Sequence, residues 1–141
     1  MTIHQISIFL ENKYGTLNEI LSLLADADIR IIAATVADTA EFGIMRMIVS
    51  DPQKACTILK ENNVSAYLSD VMAIVTDASA DSLANVLKEF TKAGLNIEYM
   101  YCFSVKEKSI LVVRTGNRES AREVVRRKNF SYISENDLIN L

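Results

Sequence analysis

The chain has 141 residues and half of them are hydrophobic, which is enough for one ordinary core or two small ones and excludes a disordered or fibrous protein. A net charge of −3 offers no overall pull on phosphate backbones or anionic membranes, although residues 1–70 carry 5 basic and 9 acidic groups and residues 71–141 carry 10 and 9. The start, MTIHQISIFLEN, lacks a basic n-region and a long apolar run, and no stretch approaches about 18 uninterrupted apolar residues, so we expect a cytoplasmic protein with no membrane partner.

From the N-terminus, Ile6–Leu10 is a short apolar run of strand type. A polar loop follows, then apolar residues at helical spacing: Leu17, Ile20, Leu21 and Leu24. Two strands, Ile29–Ala37 and Ile44–Val49, flank a turn over Asp38–Gly43. Asp51-Pro52 opens a second helix with a capping carboxylate and a proline at the first helical position. That helix stops at Asn63, ahead of a strand over Val64–Leu68. After a junction at Ser69-Asp70-Val71 the same order returns. It reads strand Met72–Thr76, helix residues Leu83, Val86, Leu87 and Phe90, strands Leu95–Val105 and Ile110–Thr115 around a Lys106–Ser109 turn, helix from Asn117 to Asn129, and strand Phe130–Ser134.

A shift of 66 residues superposes the two halves without a gap, placing Ile8 on Ile74, Leu17 on Leu83, Ile31 on Ile97, Ala55 on Ala121 and Asn63 on Asn129. The order β-α-β-β-α-β, twice, predicts an α+β protein of two ferredoxin-like repeats, residues 1–69 and 70–141, each an antiparallel sheet with both helices on one face. A repeat of this size is marginal alone, so the two should support one another. Met45 and Met47 alternate with Ile44, Arg46 and Ile48, which implies that both faces of that strand are at least partly covered. Tyr99, Tyr101 and Phe103 share one strand face, read as packing. Arg118, Arg122 and Arg126 recur on one helix face, read as solvated.

One repeat feature has a family counterpart. The first loop reads Asn-x-x-Gly-x-Leu (Asn12, Gly15, Leu17), and about fifteen residues later comes a turn residue and Ile-x-Ile, Asp28-Ile-Arg-Ile31. With the double β-α-β-β-α-β pattern, the chain resembles a tandem ACT domain protein over nearly its whole length. The resemblance implies an effector, commonly an amino acid, held at an interface between ACT units, with the first loop of one unit facing the start of the second strand of another. It points to Asn12, Lys13, Tyr14, Gly15, Thr16 and Leu17, and to Asn96 in Gly94-Leu-Asn-Ile97. It also implies a homodimer and a metabolic enzyme or regulator as partner.

The chemistry suits that loop. The first N–H groups of a helix have no intrahelical acceptor and sit at the positive end of its dipole, so they can hold a carboxylate without a cationic side chain. Glycine leaves room for the approach and tolerates positive φ, and asparagine can both donate and accept. The plainer readings stay beside these: a tight-turn glycine at Gly15, a turn or cap at Asn12, a packing aromatic at Tyr14. Tyr14 replaces the proline usual in that family. In the second copy Ala78 replaces Asn12 and Asp81 replaces Gly15, so that loop looks disabled, with Asp81 free to cap the helix. Arg30 stands where the second copy has Asn96. The expected result is one good site per chain.

Catalysis is not expected. His4 is the single histidine, Cys56 and Cys102 lack C-x-x-C spacing and read as buried thiols, and no phosphate loop is present, so no nucleophile–base pair, metal site or cofactor is assigned. Nucleic acid is not expected either, since Ile44–Val49 and Ile110–Thr115 lack the base-stacking aromatics that an RNA-binding sheet of this fold uses. The competing reading is a protein-interaction or dimerisation scaffold without a ligand.

Overall fold

The structure, a computed structural model, describes residues 2–11, 15–38, 42–77 and 79–141. In chain order the elements are β1 (Thr2–Glu11), α1 (Thr16–Asp26), β2 (Ile31–Asp38), β3 (Phe42–Val49), α2 (Pro52–Glu61), β4 (Ala66–Thr76), α3 (Ala80–Lys92), β5 (Ile97–Val105), β6 (Lys108–Thr115), α4 (Arg118–Arg127) and α5 (Glu135–Ile139). They form two compact units: His4–Ser69, and Asp70–Leu141 together with the start of β1.

In the first unit the antiparallel strands run β2-β3-β1, with Ile8 opposite Met45 and Val36 opposite Met45 on its other side. The start of β4 flanks β1, where the Phe9 N–H donates to Ser65 O at 3.0 Å. Alternation sends Ile6, Ile8, Met45 and Met47 to the helix side, where they meet Ile20, Leu24, Ala55 and Leu59. Each fully buried Ile, Leu or Met side chain among them contributes about 1.5–3 kcal/mol. Only Ile20 and Leu24 of α1 are buried, however. Leu17 and Leu21, expected to share that face, lie to one side of it and are 40% and 38% exposed.

The second unit repeats the plan as β4-β6-β5, with Met72 opposite Val113 and Cys102 opposite Leu111. Its core gathers Met72, Ile74, Val86, Phe90, Leu111 and Val124. Ile8 and Ile74, and Ala55 and Ala121, are buried alike, so the shifted alignment carries real structural equivalence. Strand β3 is covered on both faces at Met47 and Ile48, as its composition predicts. Tyr99, Tyr101 and Phe103 are half-buried together on the face shared with Val112 and Ile110.

The punctuation residues act as expected where the structure describes them. Asp51 caps α2 by accepting from the Lys54 N–H at 3.1 Å, and Asn117 caps α4 through the Ser120 N–H at 3.1 Å. Asn63 (φ 61) and Asn129 (φ 55) take the left-handed conformation that ends α2 and α4. Lys106 (φ 44) and Glu107 (φ 66) form the two-residue turn that matches strand twist between β5 and β6. The Asp38–Gly43 turn lies largely outside the described residues.

Four expectations are corrected. The junction Ser69-Asp70-Val71 is no break: β4 runs through it from Ala66 to Thr76. No Gly or Pro interrupts the strand, and the polar Asp70 is satisfied in place, its carboxylate by Arg118 and its carbonyl by Arg114 Nη1 at 2.7 Å. Arg118 and Arg122 are accordingly engaged, not merely solvated, since Arg122 donates to Glu119 at 2.9 Å and to Thr2 Oγ1 at 2.7 Å. The expected strand Phe130–Ser134 contracts to a bridge, Ile74 with Tyr132, because the chain turns at once into α5 under a Ser134 cap. Finally, Cys56 is buried but Cys102 is exposed, because β5 is the outer strand of its sheet and the helices leave it uncovered.

Candidate functional site

Of the expected site residues, Asn12, Lys13 and Tyr14 lie outside the described residues. Gly15 is the N-cap of α1, at φ 82 and ψ −6, a left-handed conformation that strains any residue with a Cβ. A Cβ built there meets nothing within 4 Å, so it is the backbone angle and not crowding that requires glycine. Thr16 begins the helix half-buried, and Leu17 is exposed beside it. The other described helix starts are each capped by their own chain: Asp51, Ser79, Asn117 and Ser134 accept a backbone N–H from three residues ahead. At α1 the cap residue has no side chain to offer.

The corresponding loop of the second unit is built differently. Ser79, not the expected Asp81, caps α3, with its hydroxyl accepting from the Ser82 N–H at 3.1 Å. The Asp77 carboxylate accepts from the Ser79 N–H at 2.9 Å. Hydrogen bonds from Ser82 and Ser79 hold Asp77 at about 2, below the usual 3.8. Helix α3 therefore starts at Ala80, two residues earlier in the repeat than α1 does, and Asp81 lies inside its first turn. Serine and aspartate ahead of a helix compete well for its first N–H groups, and here they occupy what a ligand carboxylate would use. Ala78 lies outside the described residues.

Asn96 is exposed in the turn before β5. It lines a shallow depression of about 520 Å³ with Leu87, Thr91, Gly94 and Met100. Gly94 is there at φ 75; its counterpart Asp28 adopts φ 58 without being glycine. Arg30, the counterpart of Asn96, is fixed through its backbone, with its N–H on Ser50 Oγ and its carbonyl on the Ser50 N–H, both at 2.9 Å. Ala33 is half-buried on β2.

A larger concavity of about 860 Å³ lies wholly in the first unit, along α1. Thr16, Asn18, Glu19, Ser22, Leu23 and Asp26 give one wall, and the ends of β1 and α2 the others. The sequence reading missed it. Its signal was a break in the repeat: Leu23, Asp26 and Asn62 face Glu89, Lys92 and Lys128 in the shifted alignment. In the second unit those three join, Glu89 to Lys128 at 3.2 Å and to Lys92 at 3.5 Å, and the Lys128 hydrogen bond holds Glu89 below the usual carboxylate range.

The two units repeat one plan, the first with a glycine at the start of its first helix and the second with that start capped by Ser79. The chain belongs to the ACT domain pair family, whose model matches residues 1–141. It is similar to protein BT0572 from Bacteroides thetaiotaomicron at 39% identity and a TM-score of 0.92, covering 100% of this chain and 98% of that one. It is also similar in fold to the ligand-free regulatory subunit of aspartate kinase from Thermus thermophilus, at 17% identity and a TM-score of 0.62 over 90% of this chain and 96% of that one. The aspartate kinase of Clostridium acetobutylicum, an allosteric enzyme, shares the fold at 14% identity and a TM-score of 0.56, over 88% of this chain and 32% of the enzyme. No curated protein matches the chain. Among the described residues no helix is long and apolar enough to cross a membrane, and no group of three His, Cys, Asp or Glu side chains converges as a metal site.

Proposed function

We propose that this protein is a non-catalytic regulatory module that binds an amino acid, with the ligand carboxylate on the first N–H groups of α1. The observation that carries the reading is Gly15, a left-handed cap with nothing within 4 Å of a Cβ placed on it, at the one described helix start whose cap residue has no capping side chain. Backbone donors at a helix start hold a carboxylate with about 0.3–1 kcal/mol from the dipole alone, and hydrogen bonds to a charged acceptor add about 1.5–3 kcal/mol. Asn12 and Asn96 are the amides proposed for the rest of the amino-acid head group, Asn96 being supplied by another copy of the repeat. Lys13, Tyr14, Thr16 and Leu17 form the surround. A homodimer, and an enzyme or regulator that reads the bound state in the cytoplasm, belong to the same proposal.

The test is a thermal-shift screen of the common amino acids. A ligand at 100 times its Kd adds about 2.7 kcal/mol, on the order of 10 °C for a chain of this size. No response from any of them would reject the reading in favour of the scaffold. One observation favours that second reading: Phe9, Phe42 and Tyr67 are 47%, 54% and 42% exposed in the first unit, with the Phe9 and Tyr67 rings 5.7 Å apart.

A further inference from the structure

We propose that the groove along α1 in the first unit binds a linear alkyl diammonium ion, a ligand class separate from the amino acid proposed above. Its volume, about 860 Å³, suits a small ligand. Its apolar surface comes from Phe9, Ile20, Leu23, Phe42 and Val64, and its charge from Glu11, Glu19 and Asp26; the described lining contains no Lys, Arg or His. Glu19 and Asp26 lie seven residues apart on one face of α1, about 10.5 Å along the axis, with Leu23 between them. Two carboxylates separated by an apolar step match a methylene chain with an ammonium at each end. Phe9 and Phe42 add ring faces that attract cations.

The second unit shows what the same place accepts. There the chain supplies its own ammonium groups, Lys92 and Lys128, to a Glu89 that is only 8% exposed, and the lysine stems provide the methylenes. In the first unit all three members differ. Leu23 replaces the carboxylate, Asn62 replaces one lysine, and Asp26 puts a negative charge where Lys92 carries a positive one. Neither Glu19 nor Asp26 has an ion pair among the described residues, and Lys54 is turned to the Ala27 carbonyl at 3.0 Å. Among the described residues the groove thus carries more negative charge than its counterpart and none of the internal cations, so an external diammonium ion supplies what these residues do not.

The experiment uses the full chain and 1,6-diaminohexane, with hexylamine and 1,6-hexanediol as controls, by calorimetry and amide chemical-shift mapping. Saturable binding of one diamine per chain is expected, with shifts along α1. Affinity should be at least tenfold above hexylamine, and the diol should not bind. Glu19→Gln and Asp26→Asn should each weaken binding about tenfold. The double variant Leu23→Glu/Asn62→Lys, which rebuilds the pair of the second unit, should abolish it; if that variant does not fold, the two carboxylate variants decide. Absence of saturation, or unchanged affinity in both carboxylate variants, overturns the proposal. None of the probes carries a carboxylate, so the outcome is independent of whether α1 also anchors an amino acid.

Discussion

The two repeats share a core and differ at its rim. Ile8 and Ile74, Ile20 and Val86, Leu24 and Phe90, Ala55 and Ala121 are buried in matching places, because the same apolar spacing must fill the same space between sheet and helices. Around that core the second unit closes its own openings: Ser79 and Asp77 occupy the start of α3, and Lys92 and Lys128 occupy the outer face of the helix through Glu89. Among the described residues the first unit has neither: Gly15 gives the start of α1 no capping side chain, and a groove lies beside Glu19 and Asp26. Duplication of a fold thus lets one copy hold its own groups where the other can hold something else.

The comparison can be broken most severely in the shared core. Leu24→Ala should cost about 2–5 kcal/mol and Phe90→Ala about 3–5 kcal/mol, read as a shift of the urea midpoint. A negligible cost at either position would mean that the two cores are not equivalent. At the helix starts the effects are smaller and differ in cause. Ser79→Ala should cost about 1 kcal/mol through the lost cap, whereas Gly15→Ala should cost about 1–2 kcal/mol through the left-handed backbone alone. Asp28→Gly, which copies Gly94 into the first repeat at φ 58, should stabilise by roughly 0.5–1 kcal/mol.

The smallest expected effect is a dependence on pH. The Asp77 carboxyl is depressed to about 2 from 3.8, so its contribution is fully present above pH 3.8 and is lost as pH falls toward 2. The protection factor of the Ser79 amide, exchange corrected for its intrinsic pH dependence, should therefore fall as pH drops across that window in the wild type and stay constant in Asp77→Asn.

Much of this was written locally in the sequence. Asp51-Pro52, Asn117, Asn63, Asn129 and the Lys106-Glu107 turn act through their own backbone and nearest neighbours, so residue type alone reveals them. What escaped depends on partners distant in sequence or on a choice between neighbours. Asp70 continues β4 because Arg114 and Arg118 reach it from β6 and α4, which no window around Asp70 contains. Helix α3 starts at Ala80 because the hydroxyl of Ser79 caps the run that follows it, and the fixed shift of 66 residues concealed the early start. Helix α5 opens under Ser134, whose hydroxyl accepts the Asp137 N–H, and it is too short, at five residues, to show a helical period. The exposure of Leu17 and Leu21 is decided by how α1 is rotated on the sheet, and that of Cys102 by how far the helices extend across it. As for the site, Gly15 was legible as a motif residue, whereas the groove became visible only in space.

The central claim is that one repeat is open at its helix start and the other is closed. Its most direct test is calorimetric stoichiometry with the amino acid that gives the largest thermal shift. One ligand per chain is predicted, weakened by Asn12→Ala and Asn96→Ala, abolished by Gly15→Asp and unaffected by Ala78→Asn. Two equal and independent sites per chain, or full binding by Gly15→Asp, would contradict it.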